Sequence, residues 1–271
     1  MSCMLLLILS VGLGLSVWMA LTWAYQRAVR NGGWTDVFWS FGMGLAGAVC
    51  ALWPLDAAAP TWRQWIVGGF VMLWAMRLGS HLRSRVAGAP EDARYAEFRR
   101  AWGADFQRRM FGFLQAQALS GALLAASILL AARNPHGGLA WSDLAGIVIL
   151  AVGIAGESLA DRQLARFKAD PGNRGKICQV GLWGWSRHPN YFFEWVIWLA
   201  WPLIAIGPSG AWLPGWLALL GPAFMAFLLI RVSGVPPLEA AMIKSRGQAY
   251  LDYQKRVSSF FPLPPKGQVA S

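Results

Sequence analysis

The chain has 271 residues, 56% of them hydrophobic and only 14% charged, with 17 Trp. That composition leaves too much apolar surface for a soluble globule of this size to hide. The formal net charge of +11 would suit a nucleic-acid partner, but the Trp residues that could stack on bases fall mostly inside apolar runs, which argues against one.

Seven apolar runs have the length of bilayer-crossing helices: Cys3–Ala24, Val37–Trp53, Trp65–Gly79, Phe111–Ala132, Leu144–Ala160, Tyr191–Ile206 and Trp216–Ile230. The first has no cationic segment before it and no small-residue cleavage site after it, so it reads as a retained span. The second contains Gly42-Met43-Gly44-Leu45-Ala46-Gly47, a literal G-x-G-x-x-G. A dinucleotide loop needs a strand ahead of that pattern; inside an apolar span the glycines predict close helix packing. The loop 82–110 carries charges of both signs, and its run Glu91–Arg100 reads either as an amphipathic helix at the membrane surface or as a solvated loop. The last two runs are short and flanked by Pro.

Of the 24 Lys and Arg, only Arg63 and Arg133 fall in loops on one side. The positive-inside rule then places the N-terminus outside and the C-terminus and loop 82–110 in the cytoplasm. The fold expected is an all-α integral membrane bundle of about seven helices. A first part, 1–132, holds four spans and the cytoplasmic loop; a second, 133–271, holds the remaining spans and a cytoplasmic tail. The outer loops Pro54–Thr61, Arg133–Gly138 and Gly207–Gly215 are poor in groups able to do chemistry. Cys3, Cys50 and Cys178 match no metal or redox spacing; Cys3 and Cys50 fall near the outer face, as a disulfide or as inert thiols. With three His in the chain, no metal site is expected.

Ionisable residues in spans cluster at the predicted cytoplasmic ends. Asp36 opens the second run, Arg77 and His81 close the third, Glu157 and Asp161 close the fifth, Glu194 lies one turn into the sixth, and Arg231 ends the seventh. Interfacial snorkelling accounts for Arg77 and Arg231; the carboxylates predict one polar cavity open to the cytosol. Arg77, His81 and Arg85 share a helix face at four-residue spacing, as do Glu157 and Asp161. Two carboxylates so placed repel unless Arg77, Lys168 or a ligand's donors neutralise them.

The segment Gly181-Leu182-Trp183-Gly184-Trp185-Ser186-Arg187-His188-Pro189-Asn190-Tyr191 combines a Gly-bearing loop with Pro at the first position of a helix. Such a helix start favours a phosphate, with Arg187 adding charge and His188 as an N-cap or a phosphate contact. Asn190 and Glu194 face one way, one turn apart. Beyond Val232-Ser233-Gly234-Val235-Pro236-Pro237 the tail through Lys244, Arg246, Tyr250, Tyr253 and Arg256 reads as a basic helix on anionic lipid or as a lid bringing cations and aromatics to a ligand.

The stretch Gly181–Glu194, with Arg-His-Pro-Asn-Tyr ahead of a membrane helix, resembles the C-terminal domain of the steroid 5α-reductase and sterol reductase superfamily, most closely a bacterial branch of it. The resemblance covers roughly Arg77 to Pro264. It implies a bundle of membrane helices with NADPH held on the cytoplasmic side, and location in a bacterial inner membrane. Carried over by position, Glu157, Asp161, Asn190 and Glu194 contact the nucleotide, Lys168 and Lys176 lie near its phosphates, Arg77 and His81 match an Arg and a Tyr, and Tyr253 matches a late Tyr. Trp74 stands where the steroid 5α-reductases have a Tyr beside the substrate ketone, and Asp36 is the nearest acid to their partner Glu.

The resemblance implies NADPH-dependent reduction of an activated C=C bond in a steroid-like or other lipid, with Asp36 (protonated) or His81 supporting the developing oxyanion. The alternative is an S-adenosylmethionine-dependent methyltransferase of the isoprenylcysteine or phospholipid type. Its pattern is met by His188-Pro189-Asn190-Tyr191, Glu239 and Gly247-Gln248-Ala249-Tyr250-Leu251-Asp252-Tyr253. The third reading is a membrane scaffold or lipid transporter.

Overall fold

The computed structural model describes residues 2–55 and 59–266, so the loop Pro54–Thr61 lies partly outside the described residues. Among these residues ten α-helices carry the fold: α1 (Ser2–Val29), α2 (Trp34–Leu52), α3 (Trp62–Val86), α4 (Ala93–Trp102), α5 (Phe106–Ala132), α6 (Trp141–Ala169), α7 (Pro189–Ile206), α8 (Leu220–Phe227), α9 (Val235–Arg246) and α10 (Gln248–Arg256). The described residues form no strand, only a single bridge between Ser186 and Ser258.

Among the described residues five helical stretches are long and apolar enough to cross a bilayer: Ser2–Val29, Trp34–Leu52, Ala93–Ala132, Trp141–Ala169 and Leu213–Arg246. They cover five of the seven predicted runs, the second of them as far as Leu52. The other two are helical as well, in α3 and α7, but polar residues dilute them. Arg63, Arg77, Arg83 and Arg85 lie on α3, and Asn190 and Glu194 on α7. The last predicted span is not one regular helix. A 3-10 segment Leu213–Leu219, carrying Pro214, leads into α8, and a π turn, Leu228–Val232, ends it. Cys3, Cys50 and Cys178 are free thiols.

The chain divides into two compact units, 1–143 with 201–221 and 144–200 with 222–271. In the first, α1 and α5 are joined by Ser16 Oγ donating to Gln115 Oε1 (2.6 Å), Trp23 Nε1 to the Gln107 carbonyl (3.0 Å) and Gln26 Nε2 to Gln107 Oε1 (3.0 Å). The glycine pattern of α2 is a packing surface. A Cβ on Gly42 would meet the Trp18 ring at 2.7 Å, on Gly44 Cβ of Ala75 at 2.3 Å, and on Gly47 the Val71 side chain at 2.8 Å. Gly44→Ala therefore has to push α2 off α3. We expect a loss of about 1–3 kcal/mol, read as a lower denaturation midpoint in detergent; an unchanged midpoint would show that the contact gives way without cost.

Helix α3 opens with a capping box, Thr61 Oγ1 accepting from Gln64 N–H and Gln64 Oε1 from Thr61 N–H. In its first turn, Arg63 is buried and saturated. It donates to both oxygens of Asp143 (2.8 and 3.0 Å) and to the carbonyls of Asn134 (3.0 Å), His136 (2.6 Å) and Gly138 (3.1 Å). The predicted surface helix is α4, capped by Asp92. It is fastened to the turn between α1 and α2: Glu91 accepts from Gly32 N–H (2.8 Å) and, in bidentate fashion, from Arg99 (2.9 and 3.0 Å). Burial alone would raise the Glu91 carboxyl; Arg99 and the Gly32 N–H outweigh it and hold its pKa below the usual range.

In the second unit α6 and α7 pack through glycine. A Cβ on Gly153 would meet Ile197 at 2.5 Å, and one on Gly156 the Phe193 ring at 2.3 Å. Trp195 Nε1 donates to the Pro222 carbonyl (3.2 Å), tying α7 to the start of α8.

Candidate functional site

The second unit gathers the predicted carboxylates. Glu157, Asp161 and Glu194 are only 4%, 7% and 6% exposed. Glu157 and Asp161 lie one turn apart on α6, and Asn190 and Glu194 one turn apart on α7. The two helices are linked at this level by Asn190 Nδ2 donating to Asp161 Oδ1 at 3.3 Å. Trp198 Nε1 donates to Glu194 Oε1 at 2.9 Å. Close approach of α6 and α7 at Gly153 and Gly156 brings these side chains to one polar layer.

The loop before α7 is stapled to α6. Trp183 Nε1 donates to the Ala160 carbonyl (2.9 Å) and Leu182 N–H to Gln163 Oε1 (3.0 Å). Gly181 has φ +57°, and a Cβ there would lie 2.4 Å from the Gln163 amide, so only glycine fits. Pro189 stands at the first position of α7 as predicted.

Arg187 and His188, predicted as phosphate contacts, both turn to an anion supplied by the chain. Arg187 Nε donates to Glu239 Oε1 at 2.7 Å, and His188 Nε2 lies 3.1 Å from the same oxygen. Gln254 Nε2 donates to the other Glu239 oxygen at 2.7 Å. Arg187 also donates to the carbonyls of Gln254 (3.1 Å) and Val257 (2.5 Å). The Tyr250 phenol sits against this group: burial pushes its pKa up, Glu239 adds to the rise, and Arg187 opposes it. Tyr253 donates its O–H to the Trp183 carbonyl at 2.5 Å, and its pKa too is raised, by burial first and then by Tyr250. The two Tyr share a face as their spacing predicted, but that face packs on Val257, Ile177 and Met242. Lys168, Lys176 and Arg246 are exposed.

Asp36, His81, Arg77 and Arg85 belong to the first unit. Arg77 and His81 are half-buried on successive turns of α3 and Arg85 is exposed. Trp74 is buried, edge-on to Trp39 with centroids 6.4 Å apart. Asp36 accepts from the Tyr95 O–H at 2.9 Å and from Arg94 Nη2.

Two residues of these clusters escaped the sequence reading as site members. Glu239 entered it only through the methyltransferase pattern; an acid in the first turn after Pro236-Pro237, close behind a predicted span, was its one signal. Tyr95, fully buried, stands in a charged stretch that gives no sign of burial. Among the described residues no three His, Cys, Asp or Glu side chains converge as a metal site.

Long apolar helices fit an integral membrane protein, and the second unit adds a buried, acid-rich polar layer beside a glycine-bearing loop. Residues 22–257 match the family of proteins of unknown function designated DUF1295, and the chain belongs to that family. No curated protein and no solved structure matches it.

Proposed function

We propose that this protein is an NADPH-dependent reductase of an activated C=C bond in a lipid, embedded in a bacterial inner membrane with its N-terminus outside and its cofactor site facing the cytoplasm. The carrying observation is the Asn190–Asp161 hydrogen bond with Glu157 and Glu194 buried one turn away on the same two helices. Three buried carboxylates in one apolar unit are costly, and a ligand rich in donors gives that cost a purpose. The donor set suits a phosphorylated dinucleotide. Asp161, Asn190 and Glu194 can bind ribose hydroxyls or a carboxamide, and the exposed Lys168, Lys176 and Arg246 can meet phosphates. When bound, the cofactor supplies a hydride. The work of the chain is to orient it, through Asn190 and Glu194, and to keep water out through the apolar faces of α6 and α7. By resemblance, support of the developing oxyanion on the acceptor is assigned to Asp36 or His81.

Methyl transfer from S-adenosylmethionine is the second reading. It is favoured by one observation, that His188, Glu239 and Tyr250 converge. The exposed cations and the Glu157/Asp161 pair lie outside that pattern and support the reductase.

Glu194→Gln or Asn190→Ala should weaken NADPH binding about tenfold to a hundredfold, the value of one hydrogen bond to a charged partner, about 1.5–3 kcal/mol. Titration of each purified variant, with a melting curve on the same sample, is the check. Unchanged affinity with a lowered melting point would make both residues structural.

A further inference from the structure

Residues 257–266 follow α10 outside any helix and run along the loop before α7. Arg187 N–H donates to the Ser258 carbonyl (2.8 Å), Ser186 Oγ to the Phe260 carbonyl (2.8 Å), Leu263 N–H to the Trp185 carbonyl (3.1 Å) and Lys266 N–H to the Arg256 carbonyl (2.8 Å). Phe260 is buried, its ring 6.0 Å from those of both Phe192 and Trp195 on the first turns of α7, and the half-exposed Phe261 ring lies on the same two, at 6.0 and 5.7 Å. Apolar surface stays open along this strap and loop. Val180, Trp185 and Phe261 are each 50% exposed and Leu263 is 55% exposed. Exposed apolar residues on a bilayer-spanning helix face lipid tails; these four belong to no such helix and need another explanation.

Cations border the patch. Arg256 reaches Gln179 Oε1 at 3.2 Å, next to Val180, and Lys266 is tied to Arg256 through its backbone. Lys255 and Lys176 are exposed nearby in the chain. The acid closest in sequence, Asp252, is engaged by Lys255 at 3.0 Å and Gln248 at 2.9 Å. Trp, Phe and Leu beside the start of α7, bordered by Arg and Lys, are the residue types that lie at a headgroup boundary. We infer that the outer face of Val180, Trp185, Phe261 and Leu263 docks on an anionic bilayer surface, with Arg256 and Lys266 meeting its headgroups. Docking there clamps the strap over the loop 181–188. The inference is independent of which cofactor that loop serves.

The test is hydrogen exchange on the full chain in nanodiscs of phosphatidylcholine, alone or with about one third phosphatidylglycerol. Peptides covering 181–188 and 257–266 should exchange more slowly in the anionic discs. A surface cation contributes about fivefold in affinity for such a surface, so Arg256→Gln with Lys266→Gln should abolish most of that slowing while α6 peptides stay as protected as in the wild type. Arg108→Gln with Arg109→Gln removes the same charge elsewhere and should keep it. Equal exchange of the wild type in both discs overturns the inference. So does loss of the effect in the Arg108/Arg109 pair, which would make it one of net charge, or its reproduction by inorganic phosphate in neutral discs, which would make the ligand a soluble anion.

Discussion

Arg63→Met is expected to destabilise the first unit by about 3–5 kcal/mol, the usual result of removing one partner of a buried ion pair. The cost comes less from the lost attraction than from what stays behind. Asp143 is buried and would keep one bond named here, from Ala140 N–H at 3.0 Å, while three carbonyls lose their donor. Arg63→Met with Asp143→Leu removes both charges, and its midpoint in a denaturant titration should lie above that of the single variant. A single variant as stable as the wild type would show that water or headgroups reach Asp143 and the bridge carries little.

Glu239→Leu is the second large effect. Side chains of Arg187, His188 and Glu239 are 10%, 4% and 15% exposed, so solvent screens this cluster little and the surface-pair discount applies only weakly. Leucine leaves the Arg187 guanidinium without its carboxylate and removes the acceptor for Gln254. We expect about 3–5 kcal/mol of lost stability, concentrated in α9, α10 and the strap, because Glu239 is the group on which Arg187, His188 and Gln254 meet. Glu239→Gln keeps an acceptor and loses the charge, and should cost about 1.5–3 kcal/mol. Hydrogen exchange localises the effect. Uniformly faster exchange through α6 and α7 as well would mean that the cluster supports the whole unit rather than the C-terminal helices.

Much of this architecture was legible because apolar runs of bilayer length have few ways to satisfy their backbone other than as helices. The glycine pattern at 42–47 was readable as packing from its surroundings alone, and Gly44 against Ala75 shows why alanine was avoided there. The polar layer was legible from spacing: Glu157 and Asp161, Asn190 and Glu194 each fall one turn apart, so two helices sufficed to bring Asp161 to Asn190. What could not be read is pairing over distance. Glu239 lies 52 and 51 residues from Arg187 and His188, and Asp36 lies 59 from Tyr95; no periodicity records such contacts. The helix start at Pro189 invited an external anion, and the fold gives its neighbours Arg187 and His188 an internal one. The last span misled in a different way, since what hydropathy alone reads as one run changes from 3-10 to α-helix at Leu220 and to a π turn at Leu228.

Titrating the purified full chain with NADPH, NADH and S-adenosylmethionine under one condition decides which cofactor it uses. The expected result is that NADPH binds about tenfold or more tightly than NADH, because the extra phosphate meets cations such as Lys168, Lys176 and Arg246, each charge-assisted bond being worth roughly 1.5–3 kcal/mol, and that S-adenosylmethionine does not compete. Equal affinity for the two nicotinamide cofactors, or saturable binding of S-adenosylmethionine in their place, would contradict it.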